Sequence, residues 1–66
     1  MVEYYVEYFD GISGDNKSFP SYSHALKFFD NQVDYYSQPC YFGAYWFVEL
    51  NKYRDGVKVK TLKQRC

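Results

Sequence analysis

The side chains in this chain that could do chemistry are few, and their spacing works against it. His24 is the single histidine. It falls in the first turn of an expected helix, where the positive end of the helix disfavours an imidazolium. Nucleophilic catalysis needs a nucleophile, a base and a third group that orients the base, and the residues around His24 supply no such set. Cys40 follows Pro39 and precedes Tyr41 and Phe42. Those neighbours suggest apolar burial, whereas a reactive thiolate needs an electropositive setting. Glu3 and Glu7 share a strand face but stand about 13 Å apart at ~3.3 Å per residue. That separation is too wide for two carboxylates working on one bond. Cys40, Cys66 and His24 form no CxxC or HxxxH spacing for a metal. The acids follow no calcium-loop pattern, and no glycine-rich phosphate loop exists. The expectation is a protein that is not an enzyme, with no catalytic residue, metal site or cofactor.

What the chain has in abundance is aromatic surface: nine Tyr, six Phe and one Trp in 66 residues. Each such ring carries about 150–250 Å² of buriable surface, and Tyr keeps a polar tip that tolerates a wet edge. Tyr is accordingly enriched where proteins meet. A chain of this length makes one domain, residues 1–66, of marginal stability. The net charge is zero but unevenly spread: residues 1–50 hold seven acids and two bases, and residues 51–66 hold six bases and one acid. That asymmetry suits a polar partner, self-association, or compensation inside the fold. Two cysteines are too few for a disulfide scaffold. Glu3 and Glu7 interrupt the first apolar residues, so no signal peptide is expected, and no run approaches the ~18 apolar residues of a membrane span. The expected location is cytoplasmic.

The elements follow from periodicity and turn chemistry. Residues 2–9 alternate as a strand, with Val2, Tyr4, Val6 and Tyr8 on one face and Glu3, Tyr5, Glu7 and Phe9 on the other. Asp10-Gly11 and Gly14-Asp15-Asn16 are turn sequences, leaving room for a short second strand before Phe19. Ser21 suits a helix N-cap. Tyr22, Ala25, Leu26, Phe29, Val33 and Tyr36 then recur at helical spacing, with Phe28 at the margin. Pro39 ends this helix by about Ser37. Residues 41–53 read as a long strand, with Gly43 as a candidate bulge. Asp55-Gly56 is a two-residue hairpin turn, and residues 57–62 return. Residues 63–66 are expected to fray. The fold class is α+β, one helix on a three- or four-stranded antiparallel sheet in the order β(β)αββ.

A regular hairpin about Asp55-Gly56 places Ala44, Trp46, Val48, Leu50, Val57, Val59 and Thr61 on the face that the helix covers. Tyr45, Phe47, Glu49, Asn51, Tyr53, Lys58, Lys60 and Leu62 fall on the other. One helix cannot cover two faces. The second face therefore displays Tyr5, Phe9, Tyr45, Phe47 and Tyr53, rimmed by Glu3, Glu7, Glu49, Lys58 and Lys60, and a patch of that kind marks an interaction site. The expected partner is a protein, or a second copy of the chain, a dimer being the commonest form. The alternative is nucleic acid or a nucleotide, stacked on the same aromatics beside Lys52, Arg54, Lys58 and Lys60. The acids on that face oppose it by repelling phosphate.

Three segments carry a resemblance of general type: Tyr4-Tyr5-Val6-Glu7-Tyr8-Phe9-Asp10-Gly11, the capped helix from Phe19-Pro20-Ser21 to Phe28-Phe29, and the hairpin Tyr53-Arg54-Asp55-Gly56-Val57. With these the chain is similar to small phage-encoded accessory and inhibitor proteins, including anti-CRISPR-like proteins. The resemblance implies stoichiometric inhibition of a host nuclease or defence complex in the host cytoplasm, without catalysis. It also implies that acidic residues occupy a basic nucleic-acid channel. The acid-rich first 50 residues suit this and the basic tail does not.

Overall fold

A computed structural model describes residues 1–37 and 45–66. The elements run β1 (Val2–Phe9), β2 (Gly14–Phe19), α1 (Tyr22–Tyr36), β3 (Phe47–Arg54) and β4 (Val57–Arg65). The four strands form one antiparallel sheet in the order β2-β1-β3-β4. The architecture is the expected α+β plan, and the sheet has four strands because Gly14–Phe19 pairs with β1 along its whole length. Cys40, Gly43, Ala44 and most of the expected start of the third strand lie outside the described residues. Tyr45 and Trp46 are not strand, so β3 begins at Phe47.

The core is where the alternating strands meet the helix. Val6 opposes Leu50, and Tyr8 opposes Val48. Val6, Val48, Leu50 and Ala25 have no exposed surface, and Phe29 and Tyr36 are buried with them. A buried Leu or Phe contributes roughly 1.5–3 kcal/mol, so a core this small rests on a handful of side chains. Rings extend it outward. Tyr36 stacks on Trp46 at 5.8 Å and Tyr22 meets Tyr4 edge-on at 5.6 Å. Phe28, expected at the helix margin, packs against Phe19 and Tyr8 at 5.4 and 5.8 Å and ties α1 to β2.

Ser21 stands at the N-cap in extended geometry, and its carbonyl accepts the first helical N–H, from Ala25, at 3.1 Å. Its hydroxyl does not cap the helix. It bonds instead to the Ser23 hydroxyl at 2.9 Å.

The hairpin from β3 to β4 opens as expected. Asp55 and Gly56 both have positive φ, 52° and 81°, and Arg54 pairs with Val57. Beyond this turn the structure departs from a regular ladder. The register shifts once between Lys52 and Tyr53 and again between Leu50 and Asn51. Val59 and Leu62 are the extra residues, and each is a β-bulge. A one-residue slip moves side chains to the opposite face. Thr61 accordingly opposes Asn51 on the uncovered face rather than Leu50 in the core, and Lys60 opposes Lys52 on the helix side. Leu62 packs against the core instead of the open face. Residues 63–65, expected to fray, are strand, and Arg65 pairs with Val48. Val57 and Val59, expected in the core, remain 68% and 53% exposed because α1 lies over β1, β3 and β2 and not over this end of β4.

At the other end of the sheet Asp10 builds the turn. Its carboxylate accepts the N–H groups of Ile12 and Ser13 at 2.9 and 2.8 Å. Those two bonds, Ser13 first, hold its pKa below the ordinary carboxylate value. The turn places Gly11, at φ 97°, against the chain that leads into β3: a Cβ there would stand 2.7 Å from the Tyr45 carbonyl oxygen. Gly56 also has positive φ but nothing within 4 Å of a Cβ. Gly56→Ala should therefore cost about 1 kcal/mol of backbone strain, and Gly11→Ala clearly more, on the order of 2–3 kcal/mol, because strain and collision combine. Urea unfolding of the two variants checks this. Equal losses would show that the Tyr45 contact imposes nothing.

Candidate interaction face

Alternation in β1 and β3 places Glu3, Tyr5, Glu7 and Phe9 beside Phe47, Glu49, Asn51 and Tyr53 on the face away from α1. The register sets the neighbours: Phe9 opposes Phe47, Glu7 opposes Glu49, Tyr5 opposes Asn51 and Glu3 opposes Tyr53. Every partner-contact residue expected from the sequence in these two strands lies on this face, and Tyr45 joins it at one end.

The aromatics do not form one continuous patch. They separate into two groups. Phe9, Phe47 and Tyr45 cluster at centroid distances of 5.8, 6.0 and 6.5 Å. Tyr5 and Tyr53 meet at 4.5 Å towards the other end. With no helix above them among the described residues, these rings are shielded by each other, and four of the five are half-buried. Tyr45 is the exception at 67% exposure.

Between the two groups lies a polar band. Glu7 and Glu49 face each other across β1 and β3, and like charges in directly opposed positions repel. Asn51, with no exposed surface, resolves the conflict. Its Nδ2 donates closely to Glu7 Oε2 and makes a longer contact of 3.4 Å to Glu49 Oε1. Its Oδ1 accepts the Thr61 hydroxyl at 2.7 Å. The Tyr53 hydroxyl reaches the same Glu7 oxygen at 3.4 Å. Burying an amide is costly unless its donors and acceptors are met, and here both ends are. Burial first, then the charge of Glu7 and the bond to it, raises the Tyr53 pKa above the usual phenol value.

The basic residues are distributed differently from expectation. Lys58 opposes Tyr53 and keeps to the aromatic face. Lys60 opposes Lys52, and Lys52 opposes Tyr4, which packs against the core, so this pair lies on the helix side. Arg54 sits at the exposed hairpin end opposite Val2 and Val57. The aromatic platform and the cations expected beside it are therefore largely on different surfaces. His24 is exposed on α1, and Cys66 is an exposed free thiol. Among the described residues no three His, Cys, Asp or Glu side chains gather where a metal could bind, and no helix is long and apolar enough to cross a membrane.

Sequence reasoning placed Asn51 on this face without a role and placed Thr61 on the wrong face. The usable signal for Asn51 is an amide in mid-strand between apolar and charged neighbours, a position that is stable only with partners on adjacent strands. Nothing in the local sequence marks the bulge that delivers Thr61.

No family model, curated protein or solved structure matches the chain.

Two outcomes follow from the polar band. Asn51→Leu leaves Glu7 and Glu49 opposed with only the long Tyr53 hydroxyl contact to Glu7 remaining, and should destabilise the fold by about 1–3 kcal/mol. Adding Glu7→Gln should restore part of the loss, and denaturant midpoints of both chains would show it. No recovery would mean that Asn51 acts through packing alone. For Tyr53, the unfolded phenol ionises at a lower pH than the folded one. The stability it contributes is thus complete below pH ~10 and is lost as pH rises through the folded value. Phenolate absorbance should show a late-titrating tyrosine that reverts towards the ordinary range in Glu7→Gln.

Proposed function

We propose that this chain is a non-catalytic binding protein that blocks or sequesters a macromolecular partner through the open sheet face. The observation that carries this reading is the three-part layout of that face: an aromatic group at each end and a hydrogen-bonded acidic band between them. Aromatic anchors supply contact area at low entropic cost, and the fixed carboxylates supply polarity and register. A complementary protein surface would offer apolar pockets on either side of a basic centre. The resemblance to phage-encoded inhibitors implies a host nuclease or defence complex, whose basic nucleic-acid channel the acidic band would enter.

The same layout disfavours nucleic acid. Base stacking needs rings with cations alongside to meet the phosphates. On this face the centre is Glu7 and Glu49, Lys58 is the one expected cation that register places among the rings, and Lys60 and Lys52 face the other way.

The deciding experiment uses Tyr45→Ala with Phe47→Ala. Immobilised wild-type chain should retain a partner from host extract that the double variant loses, while its circular dichroism stays native. Tyr45→Glu, at an exposed position outside β3, gives the same reading with less demand on the fold. Retention of the same partner by both folded variants would refute the proposal. Single-stranded DNA and RNA should not bind even at low salt; binding that weakens steeply as salt rises would establish the nucleic-acid reading instead.

A further inference from the structure

Among the described residues the sheet has two unpaired edges, β2 and β4, and they are built in opposite ways. β4 carries Lys58, Lys60, Lys63 and Arg65 with no acid, and two bulges break its ladder. Lysines and bulges are the devices by which natural sheets keep an edge from pairing with another edge. β2 has no bulge, and its single lysine, Lys17, is matched by an acid two residues away, Asp15. The strand pairs with β1 in unbroken register from Gly14 to Phe19, five of its six residues are exposed, and its two charges, Asp15 and Lys17, cancel. The Asn16 N–H donates to the Asp15 carboxylate of its own strand at 2.8 Å.

The two charges lie on one face. Asp15 opposes Tyr8 and Lys17 opposes Val6, so both are on the helix side, where the Lys17 Nζ stands 5.3 Å from the Phe28 ring centre. From this arrangement we infer that β2 is a self-complementary edge, and that two copies of the chain pair β2 against β2, antiparallel, into one eight-stranded sheet. Opposed residues of an antiparallel pair share a face. A two-fold axis normal to the sheet keeps both helices on the same side, so only residues of like parity can oppose each other. Three such registers bring the charged centres of the strands together. One sets Asp15 against Asp15 of the second copy. Another sets Lys17 against Lys17. The register centred on Asn16 sets each Asp15 against the other copy's Lys17, making two opposite-charge pairs about the axis. Pairing in that register gives the Asn16 backbone a ladder partner and releases the Asp15 carboxylate to the lysine. The occupant of the edge is thus a second copy, selected by charge and face together, and the contact is isologous and closed. Both open faces remain free and become coplanar, so this inference stands apart from the binding role proposed above.

The test is a charge exchange on the full chain, read by sedimentation equilibrium with reductant present and circular dichroism as the control for folding. The wild type should dimerise, more weakly as salt rises. Asp15→Lys and Lys17→Asp each place like charges in both pairs and should each raise the dissociation constant at least about tenfold. Mixed together, the two variants restore both opposite-charge pairs and should form a heterodimer. A wild type that stays monomeric at every concentration, single variants that dimerise like the wild type, or a mixture that fails to associate would each overturn the inference. If Lys17→Asp does not fold, amide exchange in the wild type gives the answer. Protection across 14–18 that grows with protein concentration supports the pairing, and protection independent of concentration refutes it.

Discussion

The contact between Ala25 and Phe29 on the helix and Val6, Val48 and Leu50 on the two central strands is the constraint on which the rest of this structure depends. These side chains are fully or almost fully buried, and they can be so only because alternation in β1 and β3 brings their apolar residues to one face in register. Ala25 lets the helix approach the sheet closely, and Phe29 fills the space beyond. With the helix committed there, the sheet's other face has no covering element among the described residues, and its composition answers that fact. Rings shield rings, and a buried amide satisfies the carboxylates between them.

That second face is an uncommon compromise. A sheet face that stays wet is ordinarily polar, and one that is covered is ordinarily apolar. This one alternates in tiers along the strands: Phe9 with Phe47, then Glu7 with Glu49, then Tyr5 with Asn51 and Tyr53. The acidic tier limits how much apolar surface is contiguous. In the proposed complex it would impose register on the partner, since a charge in the wrong place is more costly than a ring in the wrong place.

The bulges in β4 connect the two surfaces. Without the extra residue at Val59, Thr61 would point towards the helix and the Asn51 Oδ1 would lose the hydroxyl that donates to it. Without the second at Leu62, Lys63 would not stand opposite Leu50, with its Nζ 5.6 Å from the Phe29 ring centre. The same irregularities blunt the β4 edge, which the regular β2 edge lacks. The two bulges thus complete the polar band and bring Lys63 over the Phe29 ring at the end of the core.

Much of this was legible in the sequence because it rests on short-range rules. The alternation of residues 2–9, the helical spacing from Tyr22 to Tyr36 and the Asp55-Gly56 turn each constrain a few neighbouring residues, and each appears in the structure. The membership of the aromatic face in β1 and β3 followed from the same parity. The sequence by itself therefore determined β1, α1 and the β3–β4 hairpin, their order and which residues of the central strands turn away from the helix, while it left β2 and the end of β4 open. Tertiary structure alone decided the β2-β1-β3-β4 order, the opposition of Glu7 and Glu49, the Asn51–Thr61 bond and the removal of Lys60 and Leu62 from the open face. The reason is physical. A bulge costs little in the local chain and leaves no residue type as its mark, yet it reverses the facing of everything beyond it. Its position is set by which side chains find partners across the sheet, and that depends on strands far apart in sequence.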